Sequence, residues 1–147
     1  MRVVIQRSRN SSVLVDNKVV GSISHGLTIL VGFTESDTSE DIDYMIKKVI
    51  NLRIFDDEEG IMNKSVLDVR GSILSISQFT LFADTKKGNR PSYINALNKE
   101  QAIKLYEEFN QKLSQLLPVE TGIFGAEMLV KIENDGPITI AIDSKNK

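Results

Sequence analysis

Ser77, Gln78, Phe79 and Thr80 stand in a row near the end of an apolar, β-rich run, "SILSISQFTLF" (72 to 82), and set two hydroxyls and an amide around one aromatic ring. Such groups, with the backbone N–H groups of a strand end, are the parts from which an oxyanion hole is made, and each well-placed donor contributes several kcal/mol to acyl transfer. The same four residues also suit an interior strand that turns Ser77 and Thr80 to a polar side. Composition does not separate the two readings. Thr80 is a possible nucleophile by type, yet no base is evident beside it to take its proton.

Other chemistries lack their parts. The chain has one histidine, His25, and no cysteine. His25 reads as an ordinary turn residue between two strands, and nothing around it prepares a Ser-His-Asp triad. One histidine without cysteine leaves a zinc site short of ligands, and no glycine loop of phosphate-cradling spacing occurs. The absence of thiols excludes disulfides and fits a reducing compartment. An enzyme built from this sequence is expected to run on hydroxyls, amides and backbone, with no metal and no cofactor.

A second unusual stretch is "IENDGPITIAID" (132 to 143), where Gly136 and Pro137 interrupt alternating isoleucines. "NDGP" reads as a hairpin turn, with a proline that opens a strand and so needs no ladder N–H. Charge is also uneven under a net value of −2: "ESDTSEDID" (35 to 43) and "DDEE" (56 to 59) are acidic, "RSR" (7 to 9) and "KKGNR" (86 to 90) basic. A polyanion would meet the basic pair; solvated surface charge is the plainer reading.

The elements that must position these residues can be read from periodicity. "VVIQRS", "SVLVD" and "KVVGSIS" are short β-branched runs, "DN" (16 and 17) marks a tight turn, and "LTILVGF" follows "SHG". Together they predict a meander of three or four strands. Ile42, Met45, Ile46, Val49 and Ile50 then form a helical stripe, with Thr38 and Asp41 as a capping pair. A second helix is expected from about Lys99 to Leu117, capped by Asn98 and stopped by Pro118. Composition is that of an ordinary soluble protein, 41% hydrophobic and 26% charged. With 147 residues and no repeat or composition shift, residues 1–147 are expected to form a single domain. The N-terminal segment resembles neither a signal peptide nor a membrane span, and a cytoplasmic protein is expected.

Five stretches in register, "VVIQR", "NLRIFDDEEGIMNKSV", "SQFTLFADTKKGNRPSY", "TGIFGAEM" and "NDGPITI", together resemble the D-aminoacyl-tRNA deacylase (D-tyrosyl-tRNA deacylase) family. They span residues 3 to 140, nearly the whole chain. The resemblance implies a cytosolic homodimer that hydrolyses the ester between a D-amino acid, or glycine, and the 3′-terminal adenosine of tRNA. Ser77, Gln78, Phe79 and Thr80 would then line the pocket for the adenosine and the aminoacyl group, with catalysis at Phe79 and Thr80. Gly136 and Pro137 would form a cis peptide inserted into the partner's pocket. Arg7 would support that element, and Met128 would lie near the pocket. Lys86, Lys87 and Arg90 would meet tRNA phosphates; no DNA and no membrane are expected as partners. Ser8 departs from the family, which usually carries a small apolar residue there.

The physics of this selection needs no side chain. Glycine and D-amino acids leave free the side of Cα where an L-amino acid carries Cβ, so a rigid backbone wall there rejects L by clash. An aminoacyl ester is already activated, so positioning and oxyanion stabilisation are expected to suffice. The favoured route has the RNA 2′-hydroxyl assist while backbone donors near Phe79 and Thr80 hold the oxyanion; Thr80 as nucleophile is the alternative. Two further readings stand beside it: an editing module acting on an L-aminoacyl-tRNA, and a tRNA-binding protein without hydrolytic activity. The expected fold is mixed α/β, α+β in character, with a barrel-like curled sheet and two main helices packed outside it.

Overall fold

The computed structural model describes residues 1–147. In chain order it runs β1 (Arg2–Ser8), β2 (Ser11–Val15), β3 (Lys18–Ile23), β4 (Gly26–Gly32), α1 (Ser39–Asn51), β5 (Phe55–Asp56), β6 (Met62–Lys64) and β7 (Ser72–Ser77), then a 3-10 turn (Phe79–Phe82), α2 (Lys99–Ser114), β8 (Val119–Thr121), β9 (Leu129–Lys131) and β10 (Asn134–Asp143). Five strands form one mixed sheet in the order β10-β1-β4-β7-β8, and β3-β2-β9 form a second, antiparallel one; β5 and β6 pair apart. The mixed α+β fold with two main helices is as expected. The sheets do not close into a barrel, because β10 and β8 both remain edges.

Layering follows from the period of two in β7. Ile73 belongs to the core cluster beneath the helices, while Leu74 and Ile76 join Val13 and Ile23 against the smaller sheet. A strand apolar on both faces is covered on both. Over it lie Ile42, Met45, Ile46 and Val49 of α1 and Tyr106, Phe109 and Leu113 of α2. Phe109 is fully buried, and its truncation to alanine would cost about 3–5 kcal/mol.

The helix starts are as read. Asp41 Oδ2 accepts the Thr38 N–H at 2.9 Å, and Asn98 Oδ1 accepts the Gln101 N–H at 3.0 Å. The "DN" turn has φ of 48° at Asp16 and 63° at Asn17, the pair of positive values that a two-residue hairpin needs. The end of α2 differs: it stops at Ser114, short of Leu117. There the N–H groups of Gln115 and Leu116 reach back three residues, to Lys112 O and Leu113 O, tightening the last turn before Pro118.

Three strand expectations are corrected. The first strands are no simple meander, for β1 pairs directly with β4 and the β2-β3 hairpin leaves for the second sheet; there Val13 and Ile23 cover Leu74 and Ile76, which would otherwise face water. The run 72–82 is not one strand. Gln78 N–H bonds to Val31 O at 2.7 Å, β4 ends one residue later, and with no partner strand left the chain turns, Leu81 N–H to Gln78 O and Ala83 N–H to Thr80 O.

"NDGP" is not a hairpin turn either. β9 and β10 lie in different sheets, and the stretch is a bulge inside β10. Gln6 pairs with Thr139 and Ser8 with Asn134, so Arg7 alone stands opposite residues 135–138. Asn134 spans the bulge, its Oδ1 accepting the Ile138 N–H at 3.2 Å and its Nδ2 donating to Thr139 Oγ1 at 2.9 Å. A proline is tolerated in a bulge because no ladder bond is asked of it.

Candidate active site

Where the parallel strands β4 and β7 end together, the layers part and leave a cleft of about 530 Å³. Val31, Gly32 and Phe33 follow one strand into it and Ile76, Ser77, Gln78 and Phe79 the other. Lys99 and Ala102 from the first turn of α2, Leu97, the 124–126 loop, Met128 and Val130 complete the wall. A cleft at the carboxyl ends of neighbouring parallel strands is where loops converge and backbone groups go unpaired.

The geometry at the end of β7 is tight. The Gln78 amide donates from Nε2 to Thr80 Oγ1. The first bond of the 3-10 turn is Leu81 N–H to Gln78 O at 3.3 Å, so neither the Phe79 nor the Thr80 N–H has an acceptor within the turn. Phe79 is 58% exposed and meets Tyr93 edge-on, ring centres 5.0 Å apart. Behind the cleft, Tyr106 donates to Ser75 O at 2.7 Å and leans on Phe124 of the wall, ring centres 5.6 Å apart. Burial pushes the Tyr106 hydroxyl pKa up, against the opposing pull of its hydrogen bonds.

Not every expected site residue lies at this cleft. Ser77, Gln78, Phe79 and Met128 line it, and Thr80 sits on the adjoining turn. Met128 packs its sulfur so close to Gly122 that a Cβ there would fall 2.4 Å from Sδ. Lys86, Lys87 and Arg90 are exposed on a separate loop closed by paired backbone bonds between Asp84 and Ser92. Gly136 and Pro137, joined by a cis peptide bond, are exposed and lie elsewhere. Their bulge is level with Arg7 and Leu27, five residues from the Gly32 end of β4, about 16 Å along the strand at ~3.3 Å per residue.

Arg7 holds that bulge from beneath. Its guanidinium is nearly buried and donates from Nη1 to Ile54 O at 2.9 Å and from Nε to Asp135 O at 3.3 Å, with the carboxylates of Asp56 and Asp135 at 3.3 and 3.4 Å. Ser8 is also accounted for. Buried at 1% exposure, its hydroxyl lies 2.9 Å from Gln6 O and 3.0 Å from Thr28 Oγ1 and accepts the Thr28 N–H at 3.2 Å. An apolar residue there would leave Thr28 to be satisfied otherwise.

The model of the family described as D-Tyr-tRNA(Tyr) deacylase matches residues 4–143. The chain belongs to that family. A D-aminoacyl-tRNA deacylase of Clostridium tetani (strain Massachusetts / E88) is 58% identical over 146 residues, 99% of this chain and 98% of that one. Among solved structures, a c-Myc DNA Unwinding Element Binding Protein is 39% identical with a TM-score of 0.93, over 97% of this chain and 98% of that one. A structure titled "Structural Analysis of a probable eukaryotic D-amino acid tRNA deacylase" shares the fold at 20% identity, with a TM-score of 0.82 over 96% and 97% of the two chains. The wall residues of this deacylase-family cleft that sequence reasoning missed are Val31 to Phe33, Ile76, Leu97, Lys99, Ala102, the 124–126 loop and Val130. All but Lys99 are apolar or glycine and carry no chemical signal of their own. Lys99 could have been noticed only as the lysine that opens the second helix.

Proposed function

We propose that the chain hydrolyses the ester joining a D-amino acid, or glycine, to the 3′-terminal adenosine of tRNA, as a cytoplasmic homodimer working without metal or cofactor. The observation that carries this reading is the break of β7 within the cleft. It sets two backbone N–H groups without an acceptor in their own turn beside the hydroxyl of Ser77 and the amide of Gln78. Donors fixed in this way are suited to an oxyanion that forms only during reaction. The cleft is apolar for most of its wall, as the flat face of an adenine requires, and Phe79 and Met128 are available to the base and the aminoacyl group.

Thr80 serves this reaction better as a neighbour than as a nucleophile. Its oxygen accepts a hydrogen bond from an amide, which cannot take up a proton, and no carboxylate or imidazole is bonded to it. The RNA 2′-hydroxyl beside the ester then assists attack while the Phe79 and Thr80 N–H groups hold the oxyanion.

Chiral selection is assigned to Gly136 and Pro137 of the other subunit. The bulge is exposed and about 16 Å along the sheet from its own chain's cleft, so a two-fold partner is the economical way to bring backbone carbonyls to an aminoacyl group. Arg7 positions the element, and Lys86, Lys87 and Arg90 meet tRNA phosphates.

The test is release of amino acid from matched D-tyrosyl-tRNA and L-tyrosyl-tRNA by the purified protein with a chelator present. Loss of the D ester alone is expected, from a protein that sediments as a dimer. Survival of both esters while tRNA still binds would overturn the hydrolase reading.

A further inference from the structure

Lys99 brings the only charge to the wall of the cleft, and nothing in the fold uses it. The other polar contributions are the hydroxyl of Ser77, the amide of Gln78 and backbone. Lys99 takes part in none of the ion pairs of the molecule. Its side chain lies over Gly125, where a Cβ would stand 3.0 Å from both Cε and Nζ. Gly125 has φ of 77°, so the loop passes under the lysine in a conformation that side-chain-bearing residues seldom adopt. The ammonium therefore lies at the exposed rim, over bare backbone, with its donors unspent.

An unpaired cation at the mouth of an apolar cleft calls for an anion carried by whatever fills that cleft. On the reading above, on which this inference rests, the occupant is a terminal adenosine whose ester lies toward Phe79 and Thr80. That nucleoside has one anionic neighbour, the phosphodiester on its 5′ side, through which the rest of the tRNA must leave toward solvent. We infer that Lys99 is a substrate-binding residue that takes this phosphodiester as the tRNA 3′ strand enters the cleft. A compact ammonium on a flexible stem suits a single phosphate as a point charge, without the fixed fork of an arginine. Its contribution is made to the ground state and the transition state alike, because the phosphate is untouched by the reaction; it therefore acts on KM.

The experiment compares wild type, K99M and K99R on two substrates: D-tyrosyl-tRNA, and the D-tyrosyl ester of adenosine, which has the same reacting centre and no phosphate. K99M is expected to raise KM for the tRNA about 5- to 30-fold with kcat unchanged, and K99R to restore most of the loss. The slope of log(kcat/KM) against log salt should fall in magnitude by about 0.7, the value for one phosphate contact on a single strand. The adenosine ester should be cleaved equally by all three proteins. An equal loss on both substrates, or a tRNA KM and salt slope untouched by K99M, overturns the assignment. Wild-type protein that leaves both esters intact overturns instead the hydrolase reading beneath it.

Discussion

Gly32 and Gln78 touch backbone to backbone: a Cβ built on Gly32 would lie 2.8 Å from Gln78 O, with Leu81 Cβ at 3.1 Å and Phe82 Cδ2 at 3.3 Å behind it. The last residue of β4 is thus the floor on which the turn after β7 rests. Gly32→Ala cannot be absorbed by a side-chain rotation, since the first atom met is a backbone oxygen. Displacing that oxygen displaces the Phe79 and Thr80 N–H groups that follow it. Hydrolysis of D-tyrosyl-tRNA should fall by two orders of magnitude or more, while overpacking lowers stability by only about 1–3 kcal/mol. Kinetics alongside a denaturant melt check both halves, and a fully active alanine variant would show that the turn is not held as described.

Thr80→Ala removes an oxygen whose bonded partner is the Gln78 amide. If backbone donors and the RNA hydroxyl carry the reaction, the rate should drop by less than about tenfold, under ~1.4 kcal/mol of barrier. Single-turnover hydrolysis is the measurement. Near-total loss with tRNA binding intact would return Thr80 to the role of nucleophile.

Arg7→Ala should act at a distance from the cleft. The guanidinium ties Ile54 O and Asp135 O together, and Asp56 and Asp135 are partly open to water. Its loss therefore costs about 1–3 kcal/mol, less than the breaking of a fully buried pair. Because the 135–138 bulge loses its support, discrimination should suffer more than catalysis: L-tyrosyl-tRNA is hydrolysed faster relative to the D ester. Arg7→Lys should rescue little, since one ammonium cannot reproduce the fork. The ratio of the two rates is the readout, and an unchanged ratio would remove Arg7 from the selection.

Asp41 makes folding sensitive to acid. Burial raises its pKa, but hydrogen bonds from Lys145, Ser144 and the Thr38 N–H outweigh that and hold the carboxyl well below the usual carboxylate range. A depressed folded pKa gives stability that is fully present above the unfolded value near ~4 and is lost as pH falls toward the folded one. Wild type should therefore lose more stability between pH 6 and pH 3 than Asp41→Asn, which has no carboxylate to be protonated at this position. Thermal melts of both proteins across that range test the sign.

Much of the local structure was legible because it is decided locally. The stripe from Ile42 to Ile50, the Thr38 and Asn98 starts and the "DN" turn each depend on residues within a few positions. Misreadings arose where a partner far along the chain decides. The run "SILSISQFTLF" has the propensity of one strand from end to end, and it breaks after Ser77 because β4 itself ends at Gly32 and the next carbonyl, Phe33 O, accepts the Leu97 N–H instead. "NDGP" has the composition of a hairpin turn, and it is a bulge because its two flanking runs pair with β2 and β1 in different sheets.

By itself the sequence determined the family, the residue types available to the chemistry, and the helices. Only the tertiary structure decided which of those residues meet. It gathered Ser77, Gln78, Phe79 and Met128 in one cleft, added Lys99 and the apolar wall, and set Gly136 and Pro137 at the far end of the sheet. The physical reason is that helix periodicity and capping are short-range, whereas strand pairing and the parting of layers are settled by contacts between segments that lie far apart in the chain.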